Sequence, residues 1–267
     1  MTFVSLSIVD LVLAAVLILL NGALSLAFGL GLERRLAFTT VRMVVQLAAI
    51  GFVLKFIFQQ SSPLWTLMLA VVMVGVAGHE LLARQKRRIG GWYAYVLSVG
   101  TLSTTGLLAT LYGVAVILGP EPWYAPRYVL PILGMVLGNT LTGASLALDA
   151  LTSGATRERA AIEARLALGA TRLQALSGVL SDAVRTGTMP LINSMAASGI
   201  VSLPGMMTGQ ILAGIDPVEA AKYQIMIMFV LAGATALGVL LAAFGGVVLI
   251  TDDRHRLRLD RLKANGP

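Results

Sequence analysis

Cysteine is absent from this chain of 267 residues, and only 12% of the residues are charged. Without cysteine there can be no disulfide, no thiolate metal site and no cysteine nucleophile. A typical soluble domain has roughly 25% charged residues, so the scarcity of charge excludes an ordinary soluble globule. Hydrophobic residues make up 57% of the sequence, which excludes a disordered chain. These limits indicate a protein embedded in a membrane.

Histidine and lysine are also too sparse or too badly spaced for common catalytic motifs. His79 and His255 are the two histidines, so no HExxH zinc motif can be written. No lysine follows a glycine, which excludes a phosphate-binding G-x-x-x-x-G-K-[ST] loop. We therefore expect no enzyme and no cofactor in this chain. If the protein uses ATP, another chain must hydrolyse it.

The net charge of +7 does not indicate nucleic-acid binding. The basic residues form short clusters between apolar runs, whereas a nucleic-acid-binding protein collects them on one polar face. Basic clusters in an apolar chain usually orient it in a lipid bilayer. We expect a lipid bilayer rather than nucleic acid as the surrounding partner.

Apolar runs long enough to cross a bilayer recur along the sequence. A spanning helix needs about 20 mostly apolar residues. The sequence predicts an all-α, polytopic membrane protein of about seven such helices, forming a single transmembrane permease domain over residues 1–267. The predicted spans are 8–31, 38–58, 64–83, 93–118, 129–150, 178–203 and 224–250.

Most lysines and arginines lie in alternate connections between the predicted spans. Because cytoplasmic loops carry the excess of positive charge, this alternation predicts an external N-terminus and a cytoplasmic C-terminus in a multi-pass protein of the cell membrane. The basic tail covers residues 251–267. The basic residues on the cytoplasmic side are Arg34, Arg35, Arg84, Lys86, Arg87, Arg88, Arg157, Arg159, Arg165, Arg172, Arg254, Arg256, Arg258, Arg261 and Lys263.

The longest polar connection, about residues 152–176, is predicted to be helical over Ala155–Leu176. Gly169 permits a bend or a break into two helices. Such an amphipathic segment either lies on the membrane surface or docks on a cytoplasmic partner. Its sequence Glu163-Ala-Arg-Leu-Ala-Leu-Gly169 resembles the E-A-A-x-x-x-G loop of ATP-binding-cassette permeases, with Arg165 in place of the second alanine. That resemblance implies a coupling helix in which Glu163, Ala164, Arg165 and Gly169 contact an ATPase.

A second informative stretch, residues 188–217, is rich in glycine, proline and methionine. Pro204-Gly205 is predicted to end the sixth helix, followed by a broken or re-entrant element near the outer face that lines a water-filled path. A simple proline kink with glycine packing is the alternative. The candidate path or gate residues are Asn139, Asn193, Met206, Met207 and Gln210.

Charges and thioethers within the predicted spans each have two interpretations. Asp182 and Arg185 can neutralise each other on one helix face, or form a latch with Arg42 of another helix. The clustered methionines can be soft ligands for a cation such as Cu(I) or flexible packing. The metal ligands, if any, stay unassigned.

The residues 188–229, together with Pro131–Asn139 and Arg42–Gln46, resemble the FetB-type family of small multipass permeases, which includes iron-export and plant aluminium-tolerance permeases. The resemblance covers essentially the whole chain. It implies the permease subunit of an ATP-binding-cassette transporter, working as a homodimer with a cytoplasmic ATPase subunit that binds ATP and Mg²⁺, and exporting iron or another metal species.

Two other classes of function compete with this interpretation. An ATP-independent secondary transporter or channel would need an intramembrane relay of ionisable groups. An intramembrane enzyme would need a pair of catalytic His, Asp or Glu residues at one depth. Neither class accounts for the Glu163–Gly169 motif.

Overall fold

A computed structural model describes residues 7–60, 62–85, 87–252 and 254–264. Within these ranges the chain is helical apart from one two-stranded ribbon, so the all-α class is confirmed. Lys86 of the predicted basic connections and residues 253 and 265–267 of the predicted tail lie outside the described residues. The helices are α1 (Ile8–Ala27), α2 (Glu33–Gln60), α3 (Pro63–Ala83), α4 (Trp92–Leu111), α5 (Pro126–Arg157), α6 (Arg159–Ala167), α7 (Arg172–Ala175), α8 (Ser177–Ala197), α9 (Gly205–Leu212) and α10 (Pro217–Leu249).

Four short elements complete the described chain. Strand β1 (Arg87–Ile89) pairs antiparallel with β2 (Leu262–Ala264). A π-helical segment, Tyr112–Leu118, continues α4, and a 3₁₀ turn, Leu259–Arg261, precedes β2. The ribbon therefore joins the α3–α4 connection to the end of the chain.

Six helices in the described part are long and apolar enough to cross a membrane: α1, α2, α3, α4 with its π-helical continuation, α5 and α10. They coincide with six of the predicted spans. The remaining predicted span, 178–203, coincides with α8, which has 21 residues but is less apolar because it carries Asp182, Arg185 and several small polar residues. The number of seven spans and their orientation stay predictions.

The chain divides into two compact units. The smaller contains α1, α2 and residues 212–214, and the larger contains residues 63–211 and 215–267. Helices α1 and α2 pack against each other. Between them, the Ser25 hydroxyl donates to the Glu33 carboxylate at 2.8 Å and accepts from the Leu32 N–H at 3.0 Å, which closes the turn. A single domain over residues 1–267 stays a prediction.

Helix α5 is the centre of the larger unit and packs against α3, α4, α8 and α10. Its contact with α8 is close because glycines face each other. A Cβ added at Gly143 would lie 2.8 Å from the Gly187 carbonyl oxygen, and one added at Gly187 would lie 2.6 Å from the Gly143 carbonyl oxygen. Small residues of this kind allow helix backbones to approach in a membrane protein.

The long helices of the larger unit alternate in direction, so its connections collect at two ends. We call the end with α6, α7, the ribbon and the tail the basic end, because it holds Arg157, Arg165 and Arg172. We call the other end the α9 end; there α5 and α10 begin. Each end has its own apolar cluster, around Leu151 and Ile162 at the basic end and around Val136 and Ile227 at the α9 end.

The predicted end of the sixth helix at Pro204-Gly205 is wrong. Helix α8 ends at Ala197, and its C-cap Ser198 is extended. Gly199 then adopts a φ of 93°, and its N–H donates to the Ser202 carbonyl at 2.9 Å, closing a turn. The Pro204 carbonyl accepts the first hydrogen bond of α9, from the Thr208 N–H. Proline is tolerated at a helix start because that position needs no N–H donor. The element is therefore broken as predicted, into α8, a turn and α9.

Candidate functional site

The predicted coupling segment consists of two short helices rather than one. Helix α5 extends to Arg157, α6 follows directly, and α7 begins after a turn at Gly169. Gly169 has a φ of 92°, a conformation that other residues rarely adopt. The break into two helices that the sequence permitted at Gly169 is therefore what the structure contains.

Both ends of this segment are fixed to the larger unit. Ile162 in α6 and Leu176 after α7 are fully buried, with 0% exposure. The Arg165 guanidinium donates to the Ala175 carbonyl at 3.1 Å and so ties α6 to the end of α7. Arg165, the position that departs from the motif, therefore has a structural partner inside the chain.

The other face of α6 is open. Glu163 and Ala164 are exposed, and the Glu163 carboxylate accepts from Arg159 at 2.8 Å. Leu168, next to Gly169, is 89% exposed. The open face of α6 therefore combines charged side chains with one exposed apolar side chain just after its end.

The C-terminal tail packs beside this segment at the basic end of the larger unit. These contacts were not predicted from the sequence. The Arg172 N–H at the start of α7 donates to His255 Nδ1 at 3.4 Å. The Arg261 guanidinium donates to the carbonyls of Leu249 and Thr251, at 2.8 and 3.2 Å, and so caps the end of α10. The available signal was three leucines in this charged stretch, Leu257, Leu259 and Leu262, which pack on the core.

Two carboxylates hold the tail in shape. Asp252 accepts from the N–H groups of Arg256 and Arg254 and from the Arg256 guanidinium. These bonds lower the pKa of Asp252, the Arg256 N–H contributing most. A bidentate bond from the Arg258 guanidinium lowers the pKa of Asp260 to about 2. Both carboxylates are therefore ionised at neutral pH.

At the α9 end, two cavities flank α9. The first, the methionine cavity, has a volume of about 380 Å³. The second, the tyrosine cavity, has a volume of about 510 Å³. The methionine cavity is lined in part by Met195, Met207, Gln224 and Met228. The tyrosine cavity is lined in part by Arg127, Tyr128, Met135, Met206, Gln210, Tyr223 and Met226.

The structure separates the predicted gate residues. Met206 and Gln210 line the tyrosine cavity, whereas Met207 lines the methionine cavity. Gln210, which lines one cavity, and Gln224, which lines the other, each have a buried side-chain oxygen without a hydrogen-bond partner among the described residues. Such an oxygen costs free energy unless a ligand or water donates to it.

Several residues of these cavities were not predicted from the sequence. Gln224, Arg127, Tyr128 and Tyr223 were overlooked as site residues. The signal was helical spacing, since Tyr223, Met226 and Ile227 fall on one face of α10 and line the tyrosine cavity together. Leu118, the last residue of the π-helical segment, lines it too. π-helical turns occur often beside functional sites.

The other predicted path residues lie elsewhere. The Asn139 amide donates to the Met135 carbonyl of its own helix at 2.9 Å, and Asn193 is exposed on α8. Asp182 and Arg185 are both exposed, and no ion pair in the described part of the chain joins them. Arg42 belongs to α2, in the smaller unit.

Neither His nor acidic residues form a metal site in the described ranges. No group of three or more His, Cys, Asp or Glu there could hold a metal ion. Glu80 lies 3.6 Å from Arg84, one helical turn along α3, which is the ordinary ion pair expected from their spacing.

Comparison with known proteins agrees with the resemblance seen in the sequence. The chain is 32% identical over 254 residues to the "Probable iron export permease protein FetB" of Escherichia coli, covering 95% of this chain and 96% of that protein. It is 36% identical to "Protein ALUMINUM SENSITIVE 3" of Arabidopsis thaliana, covering 83% and 79%. It is 35% identical to the "UPF0014 membrane protein YjkA" of Bacillus subtilis, covering 85% and 89%.

No solved structure matches the chain. The family described as "Uncharacterised protein family (UPF0014)" matches residues 8–249, from the start of α1 to the end of α10. With these relatives and its long apolar helices, the chain is a multi-pass membrane protein that belongs to the UPF0014 family of membrane proteins.

Proposed function

We propose that this chain is the membrane-spanning permease subunit of an ATP-binding-cassette transporter that exports iron or another metal species. The ATP, with its Mg²⁺, binds and is hydrolysed in a separate cytoplasmic subunit. This chain carries no cofactor of its own and is no enzyme. The basic end faces the cytoplasm and the α9 end faces outward.

The observation that supports this proposal best is the form of the segment Arg159–Leu176. A helix that transmits movement from an ATPase must offer an open surface and be joined firmly to the membrane helices. Leu168 is 89% exposed, while Ile162 and Leu176 are fully buried. The bond from Arg165 to the Ala175 carbonyl makes the two short helices one body. An open face on an anchored and internally tied segment is the form that a coupling helix requires.

The metal cargo and its direction are taken from relatives. The name of the Escherichia coli relative specifies iron export, and that of the Arabidopsis thaliana relative specifies sensitivity to aluminium. Iron(III) and aluminium(III) are both small, hard cations that prefer oxygen ligands. The proposed cargo of this chain is accordingly a metal cation such as iron.

The proposed assembly is a homodimer with the transport path between the subunits. Added Cβ atoms at Gly138, Gly205 and Gly209 would meet nothing within 4 Å, so these glycines are open to a second copy. Close approach of helices at small residues is common in membranes. The mass of the protein with its ATPase in gentle detergent, measured by light scattering, should correspond to two permeases, and a mass with one permease would contradict the dimer.

The coupling role is tested with Gly169→Trp in the permease reconstituted with its ATPase. The indole would fill the open space beside Leu168, so ATP hydrolysis stimulated by the permease should be abolished. Gly178→Trp controls for an exposed indole, because Gly178 is also exposed with nothing within 4 Å of an added Cβ. Gly169→Ala controls for the backbone strain that any side chain meets at the Gly169 φ of 92°. Both variants should retain stimulation. Full stimulation of Gly169→Trp, with normal membrane insertion, would contradict the proposal.

The ATP-independent alternative can be tested by asking whether the purified chain transports without a second subunit. A secondary transporter or channel would transport in proteoliposomes that contain this chain alone. The proposed transporter requires a second chain with a nucleotide-binding motif and vanadate-sensitive ATP hydrolysis. Transport by the isolated chain, driven by an ion gradient, would favour the alternative.

A further inference from the structure

We propose that a groove between α4 and α10 binds one anionic phospholipid, with the headgroup at the basic end and an acyl chain running toward the middle of the bilayer. Such a site needs neither ATP nor a metal cargo. We call it the lipid groove; it belongs to the larger unit and has a volume of about 600 Å³. Its walls include Val96 and Thr104 of α4, Leu240 and Val248 of α10, and Arg172 and Leu173 of α7.

The length of the lipid groove matches one leaflet of a bilayer. Its wall on α4 runs from Val96 to Thr104, and its wall on α10 runs from Leu240 to Val248. Eight residues of helix rise about 12 Å, and half of a hydrocarbon core of about 30 Å is about 15 Å. Because α4 begins and α10 ends at the basic end, the groove starts there and stops near the middle of the membrane. One acyl chain of one leaflet covers the same distance.

Aromatic residues mark the headgroup level beside the groove. Trp92 and Tyr93, the first two residues of α4, are both exposed. Exposed Trp and Tyr residues of membrane proteins collect at the membrane–water interface. Val96, in the wall of the groove, follows one helical turn later. The end of the groove that carries Arg172 therefore lies at the depth of lipid headgroups.

The charge of the lipid groove selects an anionic headgroup. Among its lining residues in the described chain, Arg172 alone carries a full charge. No ion pair in the described part of the chain involves its guanidinium. The tail carboxylates that the structure describes, Asp252 and Asp260, pair with Arg256 and Arg258. A guanidinium forms charge-assisted hydrogen bonds with phosphate. The amine of a zwitterionic phospholipid would find no carboxylate in the groove, so a headgroup with a net negative charge fits better.

The absence of a side chain at Gly100 leaves room for the acyl chain. Gly100 lies in the wall on α4 and is exposed, and an added Cβ would meet nothing within 4 Å. The exposed side chains around this space, such as Val96, Leu240 and Phe244, are apolar. An occupant with one anionic end and one apolar end therefore matches the groove at both ends. It would contact α7 together with the two long helices.

The test is native mass spectrometry of the purified full-length permease, titrated with phosphatidylglycerol or with phosphatidylethanolamine of equal chain length. The first phosphatidylglycerol should bind about fivefold or more tightly than the first phosphatidylethanolamine. Arg172→Gln should abolish this preference. Arg159→Gln is the charge control, because Arg159 is an exposed arginine outside the groove at the same end, and it should keep the preference.

A second pair of variants tests the position of the acyl chain. Gly100→Leu puts a side chain into the groove and should weaken the binding of both lipids several-fold. Gly233→Leu is the matched control, because Gly233 of α10 is also exposed with nothing within 4 Å of an added Cβ but lies outside the groove. It should bind both lipids like the wild type. Excess glycerol 3-phosphate, which has the phosphate without the acyl chains, should not displace phosphatidylglycerol.

Four results would overturn the inference. Equal affinity of the wild type for the two lipids, or an intact preference in folded Arg172→Gln, would show that Arg172 selects no anion. Wild-type lipid binding by folded Gly100→Leu would place the lipid elsewhere. Displacement by glycerol 3-phosphate would leave an anion site without an acyl chain. A wild type that binds neither lipid, with a Gly100→Leu variant that no longer forms dimers, would assign the groove to a second copy of this chain. If Gly100→Leu fails to fold, Arg172→Gln decides alone.

Discussion

Arg165 replaces an alanine of the motif and still has a clear role in the structure. Its guanidinium crosses from α6 to the carbonyl of Ala175 at the end of α7. A cation at a helix C-terminus is favourable because the last carbonyls have no partner within the helix. A substitution that weakens the likeness to a motif can thus strengthen the element in which it occurs.

Replacing Arg165 by Gln should loosen the link between α6 and α7. The bond is partly exposed, so we expect a loss of about 1 kcal/mol in the stability of this segment. Because movement would then be transmitted less firmly, ATPase stimulation should fall several-fold. Arg159→Gln, which removes only the exposed pair with Glu163, serves as the control. Equal effects of the two substitutions would show that the bond to Ala175 has no special role.

The contact between Gly143 and Gly187 should tolerate no added methyl group. In Gly187→Ala the new Cβ would lie 2.6 Å from a backbone carbonyl, which cannot move without shifting α5. Overpacking of this kind costs about 1–3 kcal/mol. The thermal midpoint in detergent should fall clearly below that of the wild type, while Gly138→Ala, which meets open space, should change it little. An unaltered midpoint for Gly187→Ala would contradict the close packing of α5 and α8.

Met206 and Met207 illustrate what residue type alone leaves undecided. The sequence suggested that both face one path. Adjacent residues on a helix point roughly 100° apart, and once 205–212 is helical the two side chains enter different cavities. Gln210 shares a face with Met206 because it lies four residues later. The division of the methionines into two groups could have been predicted if α9 had been recognised as a helix.

At the scale of elements, the boundaries that were missed depend on local turns. The apolar pattern predicted a span to residue 203, but α8 ends at Ala197 because Ser198 is extended and Gly199 has a positive φ. In the sequence Ser198-Gly199 looks no different from the Ser-Gly pairs inside helices, such as Ser177-Gly178 at the start of α8. At Ser198-Gly199 the helix ends instead of continuing, and the turn there is closed by the hydrogen bond from the Gly199 N–H to the Ser202 carbonyl.

The tail should be ordered at neutral pH and loosen in acid. The lowered pKa of Asp252, and that of Asp260 at about 2, mean that the folded tail favours the ionised carboxylates. Their stabilising effect is complete above the ordinary carboxyl pKa of about 3.9 and is lost as the pH falls toward 2. Hydrogen exchange of the Arg254 and Arg256 amides, corrected for the intrinsic rate, should stay constant from pH 7 to 5 and accelerate below pH 4.

Asp252→Asn gives the matching experiment at neutral pH. The amide oxygen can still accept from the backbone but loses the charge that attracts Arg256, so exchange at Arg254 and Arg256 should be faster than in the wild type. Asp216→Asn, which caps α10 at the other end, should leave the tail unchanged. Constant protection of the tail down to pH 2 would contradict the role of these carboxylates.

For the whole molecule, the direction of insertion can be tested because cysteine is absent. Single cysteines need no background removal. With the basic end in the cytoplasm, Glu121→Cys should react with a membrane-impermeant maleimide from outside in intact cells. Ser153→Cys should react only after the membrane is opened. Both side chains are exposed, so lack of reaction would reflect the membrane barrier; labelling of Ser153→Cys from outside would overturn the orientation.

The sequence by itself determined the environment, the class and the family of this protein. Long apolar runs must be helices in a bilayer, since only internal hydrogen bonds can satisfy their backbone there, and this holds whatever the helices pack against. The family was indicated by the motif at Glu163–Gly169 and the block at 188–229. Each is a contiguous stretch of residues, so it can be recognised without knowing what it packs against. Tertiary structure decided which side chains meet. The tyrosine cavity combines residues from α5, α9 and α10, and Arg165 finds Ala175 across a turn, because contacts between separate helices depend on their relative rotation and closeness, which no contiguous pattern encodes.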